Sequence, residues 1–431
     1  MKFLNKLFEA FTRFASTKPI TALKDGFVLT MPATLIGSIF LLVANLPFAH
    51  YSAFMASVFG ENWNLGLNQV AACTFDILAI IIAVGIGYAY AKNENCDGIS
   101  CGILSLISFL IVSASSVTLD SGETVSGVIP RGWTGGNGVI AAILVGLLVG
   151  MIFTFFMKRN IRIKMPAGVP EGVTNAFSAL IPGFVIVLLS MIVYQVCMAA
   201  GGVSLTEIIF KVLQIPLQNL SSTWAGGVII VLLISLLFWA GLHGPNIVMG
   251  VMAPILTANA LANQALMDAG IACTVDNGAK LLTPQIIDCF VKFSGTGITI
   301  GLLIAALASA RSQQMREISK LSLIPGVFNI NEPVIFGLPI VYNPIMLIPF
   351  VLVPLISFVI TYGAASIGFL APFGGVQVPW TAPVVISGVL LGGWKGALIQ
   401  IIILAISVVI YYPFMKRQDA VYFEQEAEAK A

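Results

Sequence analysis

Long apolar runs separated by short charged clusters dominate this chain, and the pattern predicts a bundle of membrane-crossing helices. Taking a span as ~20 predominantly apolar residues, crossings are expected at about 26–48, 70–91, 98–118, 135–157, 175–199, 285–309, 343–367 and 386–412. The charge-free run from Val212 to Met267 is too long for one helix. Gly241-Leu242-His243-Gly244-Pro245-Asn246 cuts it into two arms, because glycine and proline interrupt helices. Residues 203–220, with Glu207 and Lys211 four apart, read as an interfacial amphipathic helix. So does the leader, where Phe3, Leu4, Leu7, Phe8, Phe11 and Phe14 recur at helical spacing among lysines. That pattern reads as a surface helix rather than a cleaved signal.

Composition agrees. Of 431 residues 58% are hydrophobic and only 9% charged, far below the ~25% of soluble domains. The net charge of +2 gives no basic patch, so nucleic acid is not an implied partner. Six cysteines form no CxxC and there are two histidines, so no metal site is expected. No Gly-rich phosphate loop occurs.

Basic residues concentrate on the cytoplasmic side of membrane proteins. Lys2, Lys6, Arg13, Lys18 and Lys24 put the N-terminus inside, and Lys416, Arg417 and Lys430 do the same for the C-terminus. Eight clear spans plus the two arms make ten, with only Arg131, Lys211 and Lys280 outside and Lys292 and Lys395 left within spans. Residues 323–341 then enter and leave the same face as a re-entrant hairpin, and about 255–284 is a weaker candidate for a second. The expected fold is an all-α polytopic membrane protein of about ten transmembrane helices with two re-entrant hairpins and amphipathic helices. Its expected parts are residues 1–168 with the first four helices, 169–202 as a fifth, 203–415 as a translocating region, and 416–431 as a cytoplasmic tail. Gly85 and Gly87 predict close helix packing.

Between Lys320 and Lys395 the one formally charged side chain is Glu332. A carboxylate at a span centre costs roughly 3 kcal/mol on insertion scales, so such a residue is kept for function by default. Asn331-Glu332-Pro333 joins an amide, a carboxylate and a helix break, the inventory for gripping several hydroxyls. A glutamate merely satisfied by freed backbone amides is the bland alternative. His243 sits in the other break, where a ring that both donates and accepts could face Glu332 across one site. It could equally be a satisfied structural histidine. Trp380, between Pro379 and Thr381, offers a flat face for a pyranose ring, although tryptophan is also enriched at membrane interfaces. Asp288 and Lys292, one turn apart, should neutralise each other. Asp76 is the other isolated acid within a span, and would serve a proton-coupled carrier. A passive channel fits the interrupted, asymmetric polar elements less well.

The run Pro325-Gly326-Val327-Phe328-Asn329-Ile330-Asn331-Glu332-Pro333-Val334-Ile335-Phe336-Gly337-Leu338-Pro339-Ile340 resembles the signature of the enzyme IIC permeases of the bacterial sugar phosphotransferase system. Lys24-Asp25-Gly26, Gly241-Leu242-His243-Gly244 and Val378-Pro379-Trp380-Thr381 agree with its lactose/cellobiose/chitobiose branch. The resemblance implies a multi-pass homodimer of the bacterial plasma membrane, with both termini cytoplasmic, an N-terminal dimerising half and a C-terminal sugar-binding half. It implies uptake of a β-linked disaccharide such as cellobiose, diacetylchitobiose or lactose. Uptake would be coupled to 6-hydroxyl phosphorylation by a separate IIB protein that carries phosphate on a cysteine. Carried onto this chain, Glu332 and His243 would bracket the 6-hydroxyl, with Asn331, Trp380, Asn246 and Gly244 as substrate-binding positions. The chain would bind and present the sugar, need no cofactor, and carry no phosphorylated residue itself. The rival reading is a proton-coupled secondary sugar transporter working through Asp76 and Glu332.

Overall fold

A computed structural model describes residues 13, 16–44, 50–119, 121–338 and 340–428. The expected surface helix on Phe3, Leu4, Leu7, Phe8, Phe11 and Phe14 lies outside them. The chain forms helices α1 (Lys18–Ala44, interrupted at Leu29-Thr30), α2 (Tyr51–Phe59), α3 (Leu65–Asn93, interrupted at Asp76-Ile77), α4 (Gly98–Val112), α5 (Gly136–Lys158), α6 (Glu171–Gly201) and α7 (Leu205–Ser221). There follow α8 (Trp224–Trp239), α9 (Gly244–Asp268), α10 (Ile300–Ser309), α11 (Gln313–Val327), α12 (Glu332–Gly337), α13 (Pro344–Ser366) and α14 (Ile386–Glu428). One short antiparallel pair, Ser116–Thr118 with Thr124–Ser126, is the sheet among the described residues.

Seven of these segments (α1, α3, α5, α6, α9, α13 and α14) are long and apolar enough to cross a membrane, and up to eight if the α7–α8 pair, bent by 75°, counts as one span. The other two expected crossings fall on shorter or broken helices. That at 98–118 contains the 15-residue α4, and that at 285–309 is broken. A π-helical turn, Ile286–Val291, precedes an irregular stretch through Ser294, Gly295, Gly297 and Ile298, all with positive φ, before α10 begins.

Close approach follows small residues, as expected. A Cβ on Gly85 would lie 2.7 Å from the Gly26 carbonyl, and one on Gly87 would collide with Ser105. In lipid, where apolar surface alone gives helices little reason to associate, such van der Waals packing is a main source of helix affinity. Two buried apolar clusters result. The first gathers α3, α4, α5 and part of α1 around residues such as Ile82, Phe109 and Phe153. The second gathers α8, α10, α13 and α14 around Phe290, Phe350 and Tyr411. Helix α9 serves both, through Ala258 and Leu261 on one side and Val248 and Leu256 on the other.

The amphipathic helix expected at 203–220 is α7, with its uncharged polar side chains turned inward and the Lys211–Glu207 ion pair, 2.7 Å, left on the open side at Lys211. Gln214 donates to the Gly136 carbonyl at 2.8 Å and accepts from the Ile140 amide, and Thr206 meets Ser113 at 2.9 Å. Val212, Leu217 and Leu220 face outward, the polarity expected of a helix against lipid. The re-entrant segment expected at 323–341 is α11, a turn at 328–331, and the six-residue α12. The weaker candidate at 255–284 takes another form. Helix α9 runs unbroken to Asp268, and the chain returns as a loop sewn to it by two buried asparagines. Asn259 donates to the Leu282 carbonyl, while Asn263 donates to the Lys280 and Phe373 carbonyls and accepts from the Lys280 amide at 2.7 Å. Residues 416–428 continue α14, with Gln418, Asp419 and Tyr422 buried. The Asp419 carboxylate accepts from the Arg311 and Ser312 amides, and Glu426 from those of Gln313 and Gln314, so the C-terminal part of α14 caps the start of α11.

Asn263→Ala should leave the Lys280 amide and two carbonyls without those partners and destabilise the protein by about 3 kcal/mol. A melting temperature in detergent equal to that of the wild type would contradict this.

Candidate functional site

The breaks in the second cluster face one another. At the first, α8 ends and α9 starts through His243, which caps α9: its Nδ1 accepts from the Asn246 amide at 3.3 Å. In the neutral ring this places the proton on Nε2, leaving that nitrogen as a donor. The imidazole stands edge-on to Phe238, centroids 5.1 Å apart, and Phe238 stacks on Phe350.

The second break is 292–299 and the third 328–331, and side-chain amides join them. Asn331 is buried and donates to the Thr296 carbonyl at 2.7 Å and to Thr299 Oγ1 at 3.3 Å. Gly295, at φ +83°, makes room for it: a Cβ there would sit 2.2 Å from Asn331 Cγ. Asn329, itself at φ +66°, accepts from the Ser294 amide and donates to the carbonyls of Trp380 and Ala382. Irregular backbone at membrane depth needs partners of this kind.

The fourth piece is the loop bearing Trp380, fastened by polar side chains from distant helices. Asn263 takes the Phe373 carbonyl and Gln285 those of Gly374 and Val376. Gln264 accepts from the Gly375 amide, and Ser38 donates to the Gln377 carbonyl. The Trp380 side chain is left half exposed on a fixed backbone.

These pieces enclose a cavity of about 500 Å³, within the range of small-molecule sites. Glu332, His243, Asn331, Trp380 and Asn246 line it together. Gly244 does not; a Cβ there would lie 2.0 Å from the Ile234 carbonyl, so it serves the α8–α9 crossing. Asn331 also differs from expectation, because its amide nitrogen donates to the Thr296 carbonyl and to the Thr299 hydroxyl instead of standing free for a sugar's hydroxyls. Glu332 is exposed rather than enclosed, and what it faces is the cavity. Asp288 and Lys292 form the expected ion pair, at 2.7 Å, and also line the cavity. Asp76 lies elsewhere, at the interruption of α3, 3.7 Å from Arg131.

Sequence reasoning missed the share of α1. Lys24, Thr30 and Thr34 line the cavity, so it lies against both apolar clusters. It also missed Asn329 as a fastening residue and 292–299 as a break. Ser294-Gly295-Thr296-Gly297 was the available signal for the latter.

Comparison with known proteins fits this geometry. The family described as "Phosphotransferase system, EIIC" matches residues 24–354. The chain is 39% identical over 422 residues to the lichenan permease IIC component of Bacillus subtilis (strain 168), covering 96% of this chain and 92% of that one. It is 37% identical over 414 residues to the cellobiose-specific EIIC component of Geobacillus stearothermophilus, covering 94% and 91%. Among solved structures it is similar to the crystal structure of the transporter ChbC, the IIC component of an N,N'-diacetylchitobiose-specific phosphotransferase system. The TM-score is 0.93 at 38% identity, with 99% of each chain covered. A bundle of apolar spans, broken elements closing on a polar cavity, and likeness along almost the whole chain lead to one conclusion: the protein belongs to the EIIC family of phosphotransferase-system sugar permeases.

Proposed function

We propose that this chain imports a β-linked disaccharide, such as cellobiose, diacetylchitobiose or lactose, across the bacterial plasma membrane by group translocation. The observation that carries the reading is the meeting of Glu332, His243 and Trp380 on one cavity. Relatives named for cellobiose and diacetylchitobiose support the sugar class. Trp380 stacks on a sugar ring, while the His243 Nε2–H donates to the 6-oxygen and Glu332 accepts the 6-hydroxyl proton. The hydroxyl attacks phosphorus on a phosphorylated IIB protein. A phosphorus–oxygen bond forms, the phosphorus–sulfur bond to the IIB cysteine breaks, and sulfur leaves with the electron pair as thiolate. Positioning and charge stabilisation dominate such transfers. Once Glu332 has passed that proton on to water, its carboxylate repels the product, which carries roughly two negative charges, and this makes uptake one-way.

Both termini are cytoplasmic in this proposal, and two copies pair through the N-terminal half. The exposed apolar face of α6, with Phe184 and Val196, is consistent with a buried or lipid-covered surface there. The second cluster moves the bound sugar between faces. The ion pair of Asp76 with Arg131, away from the cavity, speaks against proton coupling.

Membranes supplied with IIB, phosphoenolpyruvate and the soluble proteins that relay phosphate from it to IIB should form cellobiose phosphate. Accumulation of unmodified sugar that collapses with an uncoupler would overturn the proposal. Glu332→Gln keeps shape but not basicity, so it should retain sugar binding and lose phosphorylation by ~10²-fold or more; equal loss of both would make Glu332 a simple ligand. Trp380→Ala should weaken sugar binding by about 1 to 2 kcal/mol, around tenfold, as read by calorimetry.

A further inference from the structure

The charges on the cavity wall do not balance locally. Asp288 and Lys292 are spent on each other at 2.7 Å. No ion pair among the described residues engages Glu332. Lys24 has one carboxylate nearby, that of its neighbour Asp25, at 3.8 Å, beyond hydrogen-bond reach. The other oxygen of Asp25 accepts from Asn93 Nδ2 at 2.9 Å. Lys24 thus brings to a cavity whose proposed cargo is neutral an ammonium that, among the described residues, is only loosely paired and makes no hydrogen bond to its carboxylate partner. A sugar's hydroxyls can be held by neutral groups, so a full positive charge beside them gains its use when an anion enters.

The mount is rigid. One position beyond Asp25, Gly26 lies against α3 so closely that a Cβ would sit 2.6 Å from the Ile86 backbone. The lysine stem passes Gly250 of α9, where a Cβ would be 3.5 Å from its Cγ. His243 is seven residues before Gly250, two turns along the same face of α9, roughly 10 Å away. Six residues before Lys24, α1 starts with Lys18, 2.8 Å from Glu94, which also pairs with Lys158. The Lys24 charge therefore stands between that surface cluster and the hydroxyl-binding residues, on the route an incoming phosphoryl group takes if the N-terminus is cytoplasmic.

We propose that Lys24 is the cation that receives the phosphoryl group during transfer and then holds the phosphate of the product. This assignment rests on the function proposed above. Lysine meets phosphate as a mobile point charge, and the transferring group spreads its charge over three equatorial oxygens that need such a partner. Lys24 forms and breaks no bond. It draws the phosphate toward α1 while Glu332 repels it, and the two charges give the product a direction.

The test uses the purified full-length protein with phosphorylated IIB and compares wild type, Lys24→Gln and Lys24→Arg for affinity to cellobiose, affinity to cellobiose 6′-phosphate, and phosphorylation rate. Lys24→Gln should bind cellobiose within about threefold of wild type, bind the phosphate at least tenfold more weakly, and transfer about 10²-fold more slowly. Lys24→Arg should recover most of both losses, and Lys24→Met replaces the glutamine variant should that one not fold. Unchanged transfer and phosphate affinity would overturn the assignment. So would equal weakening for the sugar and its phosphate, which would make Lys24 a sugar or scaffold residue. If the wild type itself makes no cellobiose phosphate, the underlying function fails; if the wild type and Lys24→Gln make it equally fast, only the role of Lys24 does.

Discussion

The structure depends on giving hydrogen-bond partners to backbone that is not helical yet lies among membrane-spanning helices. A helix satisfies its own amides, but each interruption frees carbonyls and N–H groups that lipid cannot serve. Here the partners are amide side chains. Asn263 reaches the Phe373 carbonyl, Gln285 those of Gly374 and Val376, Asn329 those of Trp380 and Ala382, and Asn331 that of Thr296. Gln400 plays the same part inside the second cluster, taking the Cys289 carbonyl and accepting from the Val385 and Gly388 amides. An asparagine or glutamine both donates and accepts without bringing charge into an apolar interior.

The site follows from that arrangement. Interrupted elements are the places where polar groups can turn inward together, and once fastened they hold functional side chains on a rigid frame. Trp380 keeps a free face because five polar side chains hold the backbone around it. His243 has one ring nitrogen committed to the Asn246 amide, which decides what the other offers. Glycines allow the close approaches this requires. Gly295 admits Asn331, and Gly297 lies against Phe350.

Much of this was legible in the sequence. Span positions could be read because ~20 apolar residues bounded by charge have few other uses. The breaks at 241–246 and 328–333 announced themselves through glycine and proline, and Glu332, His243 and Trp380, read there as candidates, line one cavity. The 292–299 break did not, because Ser294-Gly295-Thr296-Gly297 lies between apolar runs that together measure one span. Asn331 could be recognised but its duty could not, since its partner carbonyl at Thr296 lies 35 residues away. Lys24 was hidden by its position, because a lysine near an N-terminus reads first as a marker of orientation. The Asn263 and Gln285 fastenings join residues 110 and 89 positions apart, separations that no local pattern encodes.

The cavity draws its wall from α1, which belongs to one apolar cluster, and from the breaks of the other. Any guest filling it must touch both bodies at once, so its affinity is a function of the gap between them. By reciprocity, a guest that fits best at one spacing makes that spacing more populated. The packing of one cluster on the other is therefore part of the recognition surface: a change in a contact between them, far from the cavity, alters the fit of a guest as directly as a change in a residue that touches it.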